Sequence, residues 1–320
     1  MTYQQYGTIE ASTYNAFAAM MNSIYGDSNA GQTVFSAASY GYGQTPELST
    51  SIAAGADIQA AEWANLFTVI KKCGNHQGTT VVPPLPGVTP GYGTGSTTLP
   101  VPGGTIVAYD ATGSLTTLLS TLISNRANLY AGQTATVNSG PYASSVWTDT
   151  LTFTLTANFG SWDNARYFFN SGGSINISGT YPDGIGDDHE WFSMLDEMSP
   201  LAFRSSTTTP GAGSVGPIGG FWNPAGGAPL TASYQTIYTK TYSASPYSGS
   251  YITVSAKLGA AAGAAGSEVI TFKVLMYQAD SGTIISPKGA TTFNVSKSTS
   301  AGAIIYPGTA TIASLGFIST

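Results

Sequence analysis

Charge is what this chain of 320 residues has least of: 10 Lys and Arg face 16 Asp and Glu, 8% of the residues together, where soluble domains carry about 25%. With a net charge of −6 and no adjacent cations beyond Lys71 and Lys72, it lacks the clustered Lys and Arg that phosphate contacts need, which excludes nucleic acid as an expected partner. Cys73 is the sole cysteine, so neither an intrachain disulfide nor a cysteine-built metal cage can form. No uninterrupted run of about 18 apolar residues exists, so no ordinary transmembrane helix and no membrane partner is expected. Met1-Thr2-Tyr3-Gln4-Gln5-Tyr6 has neither the basic nor the apolar region of an export signal. What covers the surface instead is Ser, Thr, Asn, Gln, 39 Gly and 19 Tyr. Such groups hydrogen-bond without strong repulsion and suit dense assemblies. The hydrophobic fraction of 42% is enough to fill cores and argues against disorder.

The apolar pattern divides the chain. Residues 1–78 read as a helical docking module. A first helix starts after Ser12 or Thr13 as cap, carries Tyr14, Phe17, Met21 and Ile24 at helical spacing, and ends at Gly26. A second starts at Asp57 and buries Trp63, Leu66, Phe67 and Ile70, with Lys71 and Lys72 at its negative end before Gly74. Residues 79–104 carry Pro83, Pro84, Pro86, Pro90, Pro100 and Pro102 and read as an extended linker or arm. Residues 105–144 hold a third helix over Ala111 to Leu129, with Leu115, Leu118, Leu119, Leu122 and Ile123 on one face.

From 145 the period becomes two. Trp147, Leu151, Phe153, Leu155 and Phe159 alternate with a threonine face at 148 to 156, the pattern of a half-buried strand. Further strands are expected at 165–170, 173–179, 200–206, 233–242, 250–258, 267–278, 290–297 and 303–313, with one short helix from Asp188 to Met198. The Ala/Gly run 259–266 reads as a flexible loop, and 207–230 as a loop-rich insertion. The expected fold is α+β and mainly β: a small helical N-terminal module followed by an antiparallel β-sandwich-like domain over 145–320.

Candidate chemistry is sparse. Asp183, Asp187, Asp188, His189 and Glu190 form the one acidic cluster. It reads as a solvated turn and helix start, set against a glycan-cleaving carboxylate pair or a calcium site. Cys73 and His76 lie three apart near a helix end and read as a buried thiol and a hydrogen-bonded imidazole rather than a metal site. Gly211-x-Gly213-x-x-Gly216 precedes Pro217 and no helix, so it is no dinucleotide loop. Tyr234, Tyr238, Tyr242, Tyr247 and Tyr251 read as strand residues packed on the core or a neighbour, the alternative being sugar stacking. No catalytic residue, metal ligand or cofactor is assigned, and no enzyme is expected.

In Asn164 to Gly173, Tyr167 and Phe169 fall on one side of an expected strand and Phe168 on the other. Asn170-Ser171-Gly172-Gly173 supply a turn to a following strand with Ile175 and Ile177, and Arg166 calls for a carboxylate such as Asp163 or another chain. This segment, Trp162-x-Asn164-Ala165-Arg166-Tyr167-Phe168-Phe169-Asn170-Ser171-Gly172-Gly173, is the most specific of several motifs. The others are Gly41-Tyr42-Gly43-Gln44, then Gly55-x-x-Ile58 leading to Trp63-x-x-Leu66, and His76-Gln77. Together, over most of the chain, they resemble a group of virion structural proteins of tailed bacteriophages frequent in cyanophage-like myoviruses. The chain is poorer in Arg and Lys than such relatives.

The resemblance implies a non-enzymatic place in the virion (neck, tail, baseplate or appendage) after assembly in the host cytoplasm. The expected partners are other copies of the chain and other virion proteins; the alternative, which the tyrosines and the acidic cluster raise, is a tail appendage that binds or cleaves a host-surface glycan. It makes Tyr42, Gln44, Trp63, Leu66, His76, Gln77, Trp162, Asn164, Arg166, Tyr167, Phe168, Phe169, Asn170, Gly172 and Gly173 the motif or interface candidates.

Overall fold

The computed structural model describes residues 11–26, 41–45, 48, 51–79, 115–183, 187–211, 214–215, 219–222, 229–244, 247–279, 289–300, 305 and 310–319. The linker assigned to 79–104 lies, past residue 79, outside them.

Three helices build the N-terminal part: α1 (Ala11–Tyr25), α2 (Ala60–Gln77) and α3 (Leu115–Ser124). Their apolar stripes meet in one core. Tyr14, Met21, Leu66, Ile70, Leu119 and Leu122 are all buried there, joined by Ile305 from near the C-terminus. The boundaries differ from those the pattern suggests. Ser12 and Thr13 lie inside the first turn of α1 instead of capping it. In α2 the start is set by Gln59, whose backbone N–H donates to Glu62 Oε2 at 2.7 Å, a reach of three residues that Asp57 cannot make. Gly74 does not stop α2: a helical glycine costs only about 1 kcal/mol, and the true stop is Gly78, in the left-handed conformation at φ 70°. The third helix ends at Ser124, where Asn125 and Arg126 turn back onto it, and not at Leu129.

The remainder is an antiparallel β-sandwich-like domain. In chain order it comprises β1 (Thr134–Ala143), β2 (Thr150–Asn158), α4 (Trp162–Asn170), β3 (Ser174–Thr180), α5 (Asp187–Met198), β4 (Leu201–Phe203), β5 (Thr208–Thr209), β6 (Ser214–Val215), β7 (Gln235–Thr241), β8 (Tyr251–Leu258), β9 (Val269–Tyr277), β10 (Thr292–Ser300) and β11 (Thr311–Ser319). One sheet runs β1-β10-β3-β4-β5 and the other β11-β2-β9-β8-β7-β6. The expected alternation sets the register: Leu151, Phe153 and Leu155 of β2 pair with Met276, Val274 and Phe272 of β9, and all point inward. Across the core Phe153 stacks on Phe293 of the opposite sheet, ring centroids 4.9 Å apart and nearly parallel. Such pairs add about 0.5–1.5 kcal/mol beyond their burial.

The segment 165–170, expected as a strand, is the C-terminal two-thirds of helix α4. Ser161 caps it by accepting from the Asn164 N–H at 3.1 Å, and Asp163 favours its positive end. Trp162, Ala165 and Phe169 then share the buried side at helical spacing. A short apolar run surrounded by core satisfies either period, and here the cap decides. Asn170 to Gly173 accordingly turn a helix into β3, and no hairpin forms there.

β1 was not legible because it is almost wholly exposed and carries no alternation. The strand expected at 303–313 lies later, at β11; positions 303, 304 and 306–309 are outside the described residues. The Ala/Gly run carries successive hydrogen-bonded turns, Ala264 N–H to Ala261 O and Ser267 N–H to Ala264 O, instead of an open loop. In 207–230, Phe221, Trp222 and Leu230 belong to the sandwich core.

Candidate functional site

Tyr42, Gln44, His76, Gln77, Asn170 and Gly172 of the motifs converge on one buried junction between the two cores, with Tyr167 beside them. Residues 41–45 run beside the end of α1, with the Tyr42 N–H donating to Ile24 O at 2.8 Å and the Gln44 N–H to Tyr25 O at 3.0 Å. This buries the Tyr42 ring completely. Its hydroxyl donates to Arg126 O at 2.7 Å and accepts from Gln77 Nε2 at 2.8 Å; the same Gln77 nitrogen donates to Leu122 O at 3.0 Å. Tyr42 and Gln77 thus tie α1, α2 and the end of α3 together. Gln44 Nε2 closes the segment on itself by donating to Tyr42 O at 2.9 Å.

The link to the sandwich runs through the end of α4. Asn170, fully buried, donates from Nδ2 to Gly41 O at 3.2 Å and accepts at Oδ1 from Trp222 Nε1 at 2.9 Å. His76 Nε2 lies 2.8 Å from Ser171 O. A carbonyl only accepts, so Nε2 carries the proton. The Tyr130 N–H returns to His76 O at 2.9 Å. Two glycines make the approach close enough. A side chain at Gly43 would run into the Tyr167 ring, and a Cβ at Gly172, where φ is +82°, would sit 2.8 Å from Leu129 Cβ and 2.9 Å from its backbone nitrogen.

The other candidates serve the neighbouring cores. Leu66 is buried among the helices, while Trp63 lies on α2 with its side chain outside the described part. Trp162, Phe168 and Phe169 enter the sandwich core, where Phe169 stacks on Phe221 at 4.6 Å. Asn164 Nδ2 donates to Phe159 O at 3.1 Å. Arg166 finds the expected partner: its Nη2 is 2.7 Å from Asp163 Oδ1, with the arginine side chain wholly buried. Gly173 packs against Phe168, whose carbonyl accepts its N–H at 2.9 Å. Trp222, Leu129 and Arg126 were missed at this site. Only Trp222 left a trace in the sequence, as one of 5 tryptophans placed in a loop.

Burial sets the chemistry of the junction. It pushes the Tyr42 hydroxyl well above its usual range, with the nearby Cys73 adding to the shift and the Gln77 bond and Arg126 opposing it. Burial likewise raises the Cys73 thiol, so it stays protonated. It lowers His76, with the Ser171 bond acting in the opposite sense. These groups clasp surfaces and are poorly placed to react with solutes. Elsewhere, His189 Nδ1 pairs with Asp183 Oδ1 at 3.2 Å on the surface, and among the described residues no three metal-type side chains come together. Tyr238 is in the core, its hydroxyl pushed up to about 12 by burial and then by Glu197, and the Tyr234 ring already has the Lys257 and Lys273 ammonium groups 4.8 and 4.7 Å from its centroid.

One consequence is a pH dependence. His76 Nδ1 is buried with no partner among the described residues, so protonating it adds a charge and an unsatisfied donor together. A folded-state pKa below the unfolded value of about 6.5 means that this stability is complete above that pH. It is lost as pH falls toward the folded pKa, at up to about 1.4 kcal/mol per pH unit. Urea unfolding at pH 7.5 and 5.5 should therefore show the wild type losing about 1 kcal/mol more than His76→Gln. Equal losses would remove His76 as the cause.

Comparison of the chain with protein-family models, with curated proteins and with solved structures finds no match.

Proposed function

We propose that this chain is a non-enzymatic structural component of a tailed-phage particle, acting by self-association and by docking to other virion proteins. The observation that carries the reading is the burial of the motif. The residues on which the resemblance rests mostly clasp two cores into one body or fill those cores, a role in holding shape. The surface supports the same reading. β1 and β11, the terminal strands of the two sheets, lie beside each other. They expose Val137 at 49%, Leu315 at 63% and Ile318 at 70%. β11 carries no charge and no proline along its nine residues, two of the devices that blunt strand edges, although its register shifts between Ser314 and Gly316. Uncharged edges of this kind favour close packing against another chain.

The test has two arms. Sedimentation velocity of the full chain at micromolar concentration should show species larger than a monomer. Quantitative mass spectrometry of purified particles should find the chain at a fixed copy number. A strictly monomeric protein that is absent from particles would overturn the proposal.

A further inference from the structure

A cleft of about 470 Å³ opens where the helical part meets the sandwich, beside the buried clasp. That size falls within the range of about 300–1,000 Å³ typical of small-ligand sites. Its walls include Gln77 at the end of α2, Asn128 and Tyr130 from the connection to β1, and Arg204, Ser206 and Thr207 from the turn between β4 and β5. Among the described residues no acidic side chain lines it.

Arg204 stands out in a chain with so little charge. The chain's arginines are Arg126, Arg166 and Arg204. Arg126 donates to Ile123 O and Arg166 is spent on Asp163. The Arg204 guanidinium has no ion pair or hydrogen bond among the described residues, and the side chain is exposed in the cleft. Its backbone, by contrast, is fixed: the N–H donates to Thr207 O at 2.9 Å and the carbonyl accepts from Phe221 N–H at 3.0 Å. Tyr130 is held in the same way. It is 51% exposed, yet its N–H is bonded to His76 O, while Gly78 lies against the base of its ring and Gly132 against the tip. A cation carried on a pinned turn and an aromatic ring held on a pinned connection thus line one cleft.

We propose that this cleft binds a carboxylate-bearing saccharide. The free guanidinium offers the planar fork that a carboxylate accepts bidentately. Tyr130 offers an apolar ring with a polar tip, and Asn128, Ser206 and Thr207 offer donors and acceptors for hydroxyl groups. A phosphate fits less well. Its charge approaches two, Arg204 is the one cation lining the cleft among the described residues, and the α2 end at Gln77 and Gly78 presents the negative pole of the helix. A peptide C-terminus would use the arginine and leave the hydroxyl-matching wall idle. This inference is separate from the assembly reading, since a particle protein with an empty cleft and a soluble protein with a filled one are both coherent.

The test is isothermal titration calorimetry of the full chain with trigalacturonate and with sialyllactose, against the trigalacturonate methyl ester and lactose. Inorganic phosphate and a tripeptide with a free C-terminus form separate arms. Binding of either acid at least about tenfold tighter than its neutral counterpart is expected. Arg204→Gln should erase that preference, a loss of about tenfold to a hundredfold. Tyr130→Ala should weaken the acid and neutral forms alike. Both side chains are exposed, and unchanged melting curves would show that the fold is intact. Equal binding of acid and ester, an Arg204→Gln variant that binds as the wild type does, or phosphate or tripeptide binding as tightly as the acids would each overturn the proposal. Incorporation of Arg204→Gln into particles reads the assembly proposal independently.

Discussion

Gly172→Ala should destabilise the protein by about 3–4 kcal/mol, whereas Gly160→Ala should cost only about 1–2 kcal/mol. Both glycines sit in the left-handed region, at φ +82° and +75°, so both substitutions carry the backbone strain of about 1–2 kcal/mol that an L-residue meets there. The difference lies in the surroundings. Nothing stands within 4 Å of a Cβ built at Gly160, while one at Gly172 meets Leu129 Cβ at 2.8 Å, Leu129 N at 2.9 Å and Asn128 C at 3.0 Å. Two of those atoms are backbone and cannot rotate away, so the connection from α3 must move off the α4–β3 turn, at an overpacking cost of about 1–3 kcal/mol. That movement also strains the bond from the Tyr130 N–H to His76 O. Urea unfolding of the two variants measures the gap. Equal losses would mean that the junction yields without cost and that Gly172 is needed only for its φ.

The contrast also shows which parts of the fold were legible in sequence. The α+β division, the threonine-faced β2 and the central β8 and β9 were legible because their residues alternate between a core and a polar side, and burial follows that alternation. β1 was not, since an exposed edge strand imposes no period on its sequence. Helix α4 is not legible as a helix because Tyr167, Phe168 and Phe169 are apolar on every side, and the deciding signal, Ser161 with Asp163, is two polar residues in a region full of them.

At the junction the identities were legible but the relations were not. Asn170, His76, Gln77 and Tyr42 could be singled out by type and motif, yet their meeting depends on contacts such as Asn170 to Gly41, 129 positions apart. No local pattern encodes a pairing of that span. The cleft residues Tyr130 and Arg204 were invisible for the opposite reason: each is unremarkable in its own segment and acquires meaning only from what lines the opposite wall.

Trp222→Ala should be the most damaging single truncation at the junction, at about 3–5 kcal/mol. The ring is 1% exposed and packs edge-on against Phe221 at 5.0 Å and Trp162 at 6.3 Å, so its removal opens a cavity among rigid aromatics that cannot collapse to fill it. A second effect is separable from the cavity. Trp222 Nε1 fixes which end of the Asn170 amide points where: Oδ1 takes the indole proton, and Nδ2 is thereby aimed at Gly41 O. Without that donor Asn170 Oδ1 loses the indole that orients the amide, and the tie from Nδ2 to the 41–45 segment weakens. Trp222→Phe keeps most of the ring contact and removes only the donor, so it should cost about 1–2 kcal/mol. Both variants should speed amide exchange at Tyr42, Gly43 and Gln44, whose N–H groups bond to the end of α1, while exchange in β8 and β9 stays slow in Trp222→Phe. Hydrogen-exchange mass spectrometry reads this directly. Unchanged exchange over 41–45 in both variants would show that Asn170 holds its orientation without the indole and that Trp222 acts by packing alone.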